Sequence, residues 1–259
     1  MRYASLASGS KGNCHACSDG SRTVLVDAGL NLKQLRLRLE ALELPFESVG
    51  AVALTHEHRD HSGSVGVMLR RTDWTFVMTE ATRRAVEAIH GIEIPPHRWL
   101  RAEAGHVVQW EGWDLRPFAI PHDAEDPVAW RLERLGRALA VVTDLGHPTA
   151  LVADHCRDLD LLVLEANHDV DMLREGPYPP SLKARILSRV GHLSNLAMAE
   201  LLQSVLTPRL KDVVLAHLSE QNNDPLLAQA AARLALGAHG ASLHLATQRE
   251  PLALPLAVA

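Results

Sequence analysis

The sequence predicts a mixed α/β fold in which packed sheets carry helices on their outer faces. Short apolar runs typical of buried strands alternate along the chain with segments of helical spacing, and this interleaving favours layered sheets and helices. Apolar residues make up 47% of the 259 residues, which is enough for a sizeable core. The length fits one large domain or two small ones, and no repeat, low-complexity tract or linker divides the chain.

The individual elements follow from local patterns. The run Thr23–Asp27 (Thr-Val-Leu-Val-Asp) indicates a short buried strand, and Ser8–Asn13 is a turn-rich loop that precedes it. Leu35, Leu39 and Leu42 recur at helical spacing with charges on the opposite face, so their segment predicts a helix. The same criteria predict strands at 3–7, 23–27, 52–55, 74–79, 107–110, 113–120, 128–133, 138–143, 161–165 and 213–216, and helices at 32–44, 63–71, 196–206 and 226–236.

The composition excludes several classes of protein. The net charge of −5 does not indicate nucleic-acid binding, and local basic clusters such as Lys183, Arg185 and Arg189 are interpreted as solvated helix faces. No run approaches the roughly 20 apolar residues of a membrane span, and the first residues lack the apolar segment of a secretory signal. We therefore expect a soluble, cytoplasmic protein without membrane contact.

The cysteines agree with that compartment. There are three, Cys14, Cys17 and Cys156, and so small and odd a number argues against a disulfide framework. Cys14 and Cys17 have C-x-x-C spacing, but no second pair completes a structural zinc site. We interpret them as small buried or loop residues.

The most informative motif places three histidines and a carboxylate within six residues, directly after the apolar run 49–54. The side chains are those of His56, His58, Asp60 and His61. Imidazole and carboxylate together suit zinc, manganese or iron. His56 and His58, two residues apart, can share one ion, whereas Asp60 and His61 suit a second ion nearby. The spacing is much more constrained than a polar loop that happens to contain histidine.

Three further candidate ligands each come after a predicted strand. They are His122, Asp144 and His217. Taken alone, each fits equally well as a polar residue at a strand end. Taken with the first cluster, they bring the ligands to seven, which is enough for two ions that share one carboxylate.

These motifs, in this order, resemble the metallo-β-lactamase superfamily. The matching segments are Leu25–Gly29, His56–His61, Pro121-His122, Thr143-Asp144 and Leu215–His217. The resemblance implies a four-layer αββα sandwich with the site at one sheet edge. It also implies that Asp27 is a structural carboxylate that orients the ligand loop through hydrogen bonds.

The resemblance further implies how the seven ligands are divided between two ions. Asp144 bridges both ions. The first ion is held by His56, His58 and His122, and the second by Asp60, His61 and His217. The expected cofactors are two divalent metal ions, Mn²⁺ or Zn²⁺, and the ligand types accept either.

A closer resemblance is to the WalJ (YycJ)-type proteins of this superfamily, which are regarded as 5′-to-3′ exonucleases on single-stranded DNA, with RNase activity in some relatives. The segment from Asp144 to His217 is too short for a β-CASP insertion, so one domain over residues 1–259 is expected. Broad-spectrum β-lactamases usually carry a cysteine in place of Asp144. The segments that match are Ser8–Asn13, Pro121–Ala124, Thr143–Gly146, Leu164–Asp169, Gly176–Pro179, Gly191–Asn195 and Ala216–Ser219.

These observations predict a dinuclear phosphodiesterase acting on single-stranded nucleic acid, with a metal-bridging hydroxide as the nucleophile. Two ions about 3.5–4 Å apart can clamp a phosphodiester and generate hydroxide at neutral pH. His192 is the candidate to bind the phosphate or act as general acid, with His168 as a second candidate. Glu165 is expected to fix a histidine tautomer. Asp60 is expected to be both a catalytic residue and a metal ligand.

For His192 and His168, a purely structural role is the alternative. His192 also fits as a loop histidine bonded to backbone, and His168 as a residue of a helix start or the core. Substrate contacts are expected from the loop after the first strand, unless it is a plain turn, and from Tyr178 by stacking on a base. The loop residues are Ser8, Ser10, Lys11 and Asn13.

Two other functions remain open from the sequence. One is a small-molecule hydrolase of the same superfamily for a thioester, lactone or cyclic phosphate, and the other is a metal-binding protein without turnover. The sequence leaves the native metal, the choice of DNA or RNA and the oligomeric state undecided.

Overall fold

The computed structural model describes residues 1–256, in which the chain alternates strands with short helices as the sequence predicts. The strands are β1 (Arg2–Ala7), β2 (Cys14–Ser18), β3 (Thr23–Val26), β4 (Val49–Ala53), β5 (Thr75–Met78), β6 (Trp99–Arg101), β7 (Val108–Trp110), β8 (Trp113–Ala119), β9 (Val128–Arg134), β10 (Arg137–Val142), β11 (Leu161–Glu165), β12 (Asp212–Ala216), β13 (Ser242–Leu245) and β14 (Leu252–Pro255).

Nine α-helices connect these strands within the same residues. They are α1 (Leu32–Ala41), α2 (Arg59–Ser62), α3 (Val65–Arg71), α4 (Glu80–His90), α5 (Ala150–His155), α6 (Val170–Glu175), α7 (Pro180–Ile186), α8 (Asn195–Val205) and α9 (Pro225–Leu236). Across residues 1–256, no helix is both long enough and apolar enough to cross a membrane.

The strands form two seven-stranded sheets with matching topology. The first has the order β14-β1-β2-β3-β4-β5-β6 and the second the order β13-β12-β11-β10-β9-β8-β7. Strands β3 to β6 are parallel in the first sheet, as are β10 to β13 in the second. Strand β8 is antiparallel to β9, which is antiparallel to β10, so β8 runs in the direction of β10. The carboxyl ends of β8, β10, β11 and β12 therefore lie at one edge of the second sheet.

Alternation of side chains along the strands divides the core into three apolar layers. On β12, Val213 and Leu215 face the helices that cover the second sheet, whereas Val214 and Ala216 face the space between the sheets. On the outer face of the first sheet, Leu35 of α1 packs in the third layer. Two sheets face to face with helices on both outer sides are the predicted αββα sandwich, and the predicted fold class is confirmed.

Most predicted strands differ from the observed ones by one residue at an end, and the largest difference is at β4. The sequence places a strand at 52–55, but β4 covers Val49–Ala53. The backbone N–H of Thr55 donates to the carboxylate of Asp27 at 2.9 Å instead of continuing the ladder. This bond turns the chain out of the sheet immediately before His56.

Some elements, among them β2 and α4, were not predicted from the sequence. Strand β2 (Cys-His-Ala-Cys-Ser) is fully buried yet has no β-branched residue. Helix α4 is defined by its ends: the side chain of Thr79 accepts the Thr82 N–H, and Gly91 closes the helix with a φ of 59°.

The cysteines of β2 lie on opposite faces of the strand. Cys14 packs on the helix side of the first sheet and Cys17 between the sheets. Cys14, Cys17 and Cys156 are all free and buried, as expected for a chain without a disulfide framework. Burial raises the pKa of the Cys156 thiol to about 12, so it is an inert core residue.

Candidate metal centre

The seven candidate ligands converge where strands of the two sheets end. His56, His58, Asp60 and His61 follow β4 of the first sheet, and the last two lie in α2. The second sheet contributes the other three from the segments after β8, β10 and β12, namely His122, Asp144 and His217. The parallel direction of these strands brings residues far apart in sequence to one sheet edge.

Three residues at this edge hold a left-handed backbone. Asp27, Asp144 and His217 have φ of 67°, 59° and 56°. Each lies one or two residues beyond the end of a buried strand. Non-glycine residues seldom adopt this conformation, and where they do, the surrounding structure usually enforces it for function. Here it turns each side chain from the end of its strand towards the common centre.

A first group of ligand atoms consists of three imidazoles. One nitrogen each from His56, His58 and His122 lies within 4.8 Å of the others. The Nδ1 of His58 is 3.3 Å from the Nε2 of His122. Such a cluster of nitrogens fits one divalent ion with an open position.

A second group combines a carboxylate with two imidazoles. Ligand atoms of Asp60, His61 and His217 also lie within 4.8 Å of one another. The Oδ2 of Asp60 is 3.4 Å from the Nε2 of His61 and 3.6 Å from the Nε2 of His217.

Asp144 lies between the two groups. Its Oδ2 is 3.1 Å from the Nε2 of His61, in the second group. Its Oδ1 is 3.8 Å from the Nε2 of His122, in the first group, and 3.7 Å from the Nδ1 of His217. One carboxylate with an oxygen near each group has the geometry of a bridge.

In four of the candidate ligands, all of them buried imidazoles, Nδ1 is hydrogen-bonded to another part of the protein. The Nε2 of each is directed towards the centre. The partners of Nδ1 are Thr55 Oγ1 for His56 (2.9 Å), Asp27 Oδ2 for His61 (2.7 Å), Gly191 O for His122 (3.2 Å) and Glu165 Oε1 for His217 (3.0 Å). Within residues 1–256, Nε2 of His56 and of His217 is buried without a hydrogen-bond partner. Buried polar atoms seldom stay unpaired, so a metal ion fits this arrangement.

The electrostatics of the centre also favour a cation. Burial lowers the pKa of His56 well below 6.5, which keeps this imidazole in the neutral form that binds metal. Burial acts on His217 in the same sense, but the carboxylates of Asp144, Asp60 and Glu165 outweigh it and raise the pKa to about 10. This excess of negative charge attracts positive charge, whether protons or metal ions.

Hydrogen bonds and close packing fix the loop that carries His56 to His61. The Asp27 carboxylate accepts from Thr55 N–H and Oγ1–H and from His61. The carboxamide of Asn13 reaches the Nε2 of His61 at 3.0 Å and the Oδ2 of Asp60 at 3.4 Å. A Cβ on Gly29 would lie 1.7 Å from the Asp60 carbonyl oxygen, so only glycine fits beneath this loop.

A cavity of about 230 Å³ opens over the centre, and His192 lines it. Glu165 is fully buried behind His192, and its Oε1 accepts from the Nδ1 of both His192 (2.8 Å) and His217 (3.0 Å). One carboxylate therefore fixes two imidazoles, and the Nδ1 atoms of both lie near the Oδ1 of Asp144, at 3.6 Å for His192 and 3.7 Å for His217. His168 is buried and does not line this cavity, and neither ring nitrogen has a partner within residues 1–256.

The predicted substrate residues occupy different positions. Ser10 and Tyr178 line the cavity over the centre, and both also line a neighbouring cavity together with Ser8 and Lys11. Ser8 is buried, and its Oγ accepts the backbone N–H of His217 at 2.8 Å. Asn13 is buried beneath the ligands and lines neither cavity.

Sequence reasoning missed Arg185 as a site residue. Its guanidinium lines the cavity and donates to both carboxylate oxygens of Asp123, Nε at 2.5 Å and Nη2 at 3.1 Å. The basic cluster around Arg185 has the composition of a solvated helix face. Its partner lies 62 residues away, so no local spacing reveals the pair.

Comparison with known proteins shows the family of this chain. The family described as "Beta-lactamase superfamily domain" matches residues 22–217. "Exodeoxyribonuclease YycJ" of Bacillus anthracis is 36% identical over 229 residues, which cover 88% of this chain and 86% of the relative. "Exodeoxyribonuclease WalJ" of Streptococcus pneumoniae is 35% identical over 224 residues, which cover 86% of this chain and 83% of the relative.

The chain belongs to the metallo-β-lactamase superfamily. Within the superfamily it groups with the YycJ and WalJ proteins, as its motifs predict. Solved structures share the fold. The metallo-β-lactamase fold protein YhfI from Bacillus subtilis superposes with a TM-score of 0.72 at 14% identity, over 98% of this chain and 99% of that one. Zn²⁺-bound PqqB from Methylobacterium extorquens gives 0.70 at 18% identity, over 98% and 100%.

Membership of the metallo-β-lactamase superfamily makes this chain a metal-dependent hydrolase. The metallo-β-lactamase fold implies divalent metal ions, and the histidine and aspartate cluster has donor atoms that suit them.

Proposed function

We propose that this protein is a dinuclear, metal-dependent exonuclease that removes nucleotides from the 5′ end of single-stranded DNA, and that it folds as one domain over residues 1–259. The observation that carries the proposal is the position of Asp144 between two groups of ligand atoms, beneath a cavity lined by His192 and Arg185. The names of the relatives, both exodeoxyribonucleases, support the substrate class.

The proposed ligand roles are supported by the ligand atoms that lie together. The first ion is held by His56, His58 and His122, the second by Asp60, His61 and His217, and Asp144 is shared. When bound, two such ions supply Lewis-acid polarisation of the phosphodiester and activation of water at neutral pH. The native metal is proposed to be Mn²⁺ or Zn²⁺.

His192 is proposed to be the proton donor. Hydrolysis leaves a 3′-oxygen that must gain a proton, and His192 is a half-buried imidazole on the cavity wall that is not among the seven proposed ligands. Its Nδ1 is engaged by Glu165 at 2.8 Å, so the Nε2 is the nitrogen available to bind the phosphate or give up a proton. Glu165 acts through His192 and His217, as a positioning residue. Within residues 1–256 His168, the second candidate, neither lines the cavity nor makes a hydrogen bond through its ring nitrogens, so we propose no direct contact between it and the substrate.

Substrate contacts are proposed for the residues that reach the cavities. Ser10, Lys11 and Tyr178 contact the strand, the first two through hydrogen bonds and the last by stacking. Ser8 and Asn13 are proposed to serve the substrate indirectly, because their polar atoms hold His217 and His61.

The proposal is tested by the products of digestion. The protein is loaded with Mn²⁺ or Zn²⁺ and offered 5′-phosphorylated single-stranded DNA, the same strand as a duplex, RNA and a small thioester. We expect mononucleotides to be released in order from the 5′ end of single-stranded DNA. Release from the 3′ end would overturn the polarity. Hydrolysis of the thioester alone would instead indicate a small-molecule hydrolase.

Arg185 gives a separate prediction on substrate affinity. The two hydrogen bonds that Arg185 donates to Asp123 hold its guanidinium at the cavity wall, where a phosphate oxygen can be bound. We expect Arg185→Ala to raise the KM for single-stranded DNA roughly tenfold with little change in kcat, the effect of losing one charged hydrogen bond. Steady-state kinetics measure both constants.

The control for Arg185 is Arg189→Ala, which removes a nearby exposed arginine that contacts His147 and does not line the cavity. An equal rise in KM for both variants would mean that the DNA is attracted by general positive charge and not by a specific contact with Arg185.

A further inference from the structure

A second cavity lies beside the one over the metal centre and is larger. Its volume is about 580 Å³, against about 230 Å³ for the cavity over the ligands. Ser10, Tyr178 and Ser219 line both, so the two spaces adjoin. A molecule whose reacting group lies over the ligands therefore has room to extend into the second cavity.

The second cavity is built from three loops, which follow β1, follow β12 and connect β13 to β14, together with Tyr178 from the loop between α6 and α7. The first and third loops are tied together. The Nη1 of Arg38 donates to the carbonyl oxygens of Leu6 (2.5 Å) and Gln248 (3.0 Å). The Gln248 side chain donates to the Gly12 carbonyl (3.0 Å) and accepts from the Lys11 N–H (3.0 Å). These bonds make the wall a preformed part of the fold.

The lining combines apolar surface with a charged rim. Leu218, Pro225 and Leu245 give apolar side chains, whereas the rim carries both signs of charge, from Lys11, which is paired with Glu220 at 2.5 Å, and from Arg249 and Glu250. Pockets for small ligands have volumes of roughly 300–1,000 Å³ and join a mostly apolar lining to a few polar groups. A nucleobase and its sugar match this lining, because a flat apolar face is bordered by polar edges.

We propose that this second cavity, the nucleoside pocket, binds one unpaired nucleoside that flanks the scissile phosphate. The inference rests on the nuclease activity proposed above. A base that enters the pocket cannot remain paired to a complementary strand, so the pocket would select single-stranded ends. Tyr178, on the border of the two cavities, is placed to stack on that base.

The first test uses the wild-type protein and a series of substrates. Single-stranded oligonucleotides carry one abasic residue at successive positions from the 5′ end. We expect KM to rise roughly tenfold when the abasic residue flanks the first scissile phosphate, as for the loss of one stacked base, and to be unchanged further along. Equal KM at every position would overturn the pocket.

The second test fills the pocket. Thr247 lines it away from the metal ligands, and Thr247→Trp adds a large side chain there. We expect this variant to bind the intact oligonucleotide more weakly and to lose the distinction between intact and abasic substrates. Leu234→Trp, on an exposed position of α9 outside the pocket, is the matched control and should keep the distinction. An undiminished distinction in Thr247→Trp would overturn the proposal, and if that variant does not fold, the wild-type series decides alone.

A further substrate distinguishes failure of the proposed nuclease function from failure of the nucleoside pocket alone. Bis(p-nitrophenyl) phosphate is a diester without a nucleoside. If the metal-loaded wild type hydrolyses this diester but digests no oligonucleotide, the proposed nuclease function fails. If it digests every oligonucleotide without dependence on the abasic position, the nuclease function stands and only the nucleoside pocket fails.

Discussion

Asp144→Asn is expected to remove both metal ions from the centre and to lower nuclease activity by roughly a thousandfold, or about 4 kcal/mol of transition-state stabilisation. Asp144 places one carboxylate oxygen near each group of ligands, so the substitution weakens both positions at once. Asparagine tolerates the left-handed backbone that Asp144 adopts, which keeps the effect electrostatic. Metal content by elemental analysis and digestion of single-stranded DNA measure the two effects.

The matched control for Asp144→Asn is Asp154→Asn on α5, which removes an exposed carboxylate of the same half of the chain. It should retain two ions and full activity. If Asp144→Asn itself binds two ions and digests DNA at the wild-type rate, the carboxylate does not bridge, and the division of the ligands proposed here is wrong.

His192→Ala is expected to leave the metal content intact and to lower kcat by roughly 10²–10⁴-fold, the range for loss of a positioned proton donor. Burial lowers the pKa of His192, but the carboxylate of Glu165 outweighs burial and raises the pKa above 6.5. A proton donor with a raised pKa stays active to higher pH, and its contribution is lost as the pH rises through that value. The wild-type rate should therefore fall on the alkaline side, and this fall should be absent in the variant.

The comparison for His192 is His97→Ala, which removes an exposed histidine outside both cavities. It should change neither kcat nor its pH dependence. Loss of metal from His192→Ala would show that His192 is a ligand and not a proton donor. An unchanged alkaline limb would assign that limb to another group.

The position of the ligands was predictable because each follows an apolar run that the sequence displays. His56, His122, Asp144 and His217 all lie shortly after strands that were predicted, and parallel strands share the edge at which they end. Glu165 was also predicted to fix a histidine, as the last residue of the buried strand β11. Its second bond, to the other imidazole, depends on the packing of β11 beside β12, which no local pattern contains.

The features that were missed depend on contacts between distant segments. The pairing of Arg185 with Asp123 joins α7 to the loop after β8, and neither residue is unusual in its own neighbourhood. The walls of the second cavity come from four separate loops, of which Arg38 and Gln248 join the one after β1 to the one between β13 and β14. Hydrophobic periodicity reports which face of an element is buried, but it does not report which loops meet.

The left-handed backbone at Asp27, Asp144 and His217 has a consequence for how this protein can be improved. Each such residue costs on the order of 1–3 kcal/mol relative to a relaxed conformation. Glycine at Asp144 or His217 would relieve the strain and delete a proposed ligand, whereas glycine at Asp27 would also leave the buried donors of Thr55 and His61 without their acceptor. Selection for thermal stability alone would therefore favour inactive proteins at Asp144 and His217. A search for more stable variants that remain active should keep the residues at these strand ends unchanged and introduce stabilising substitutions elsewhere in the sandwich.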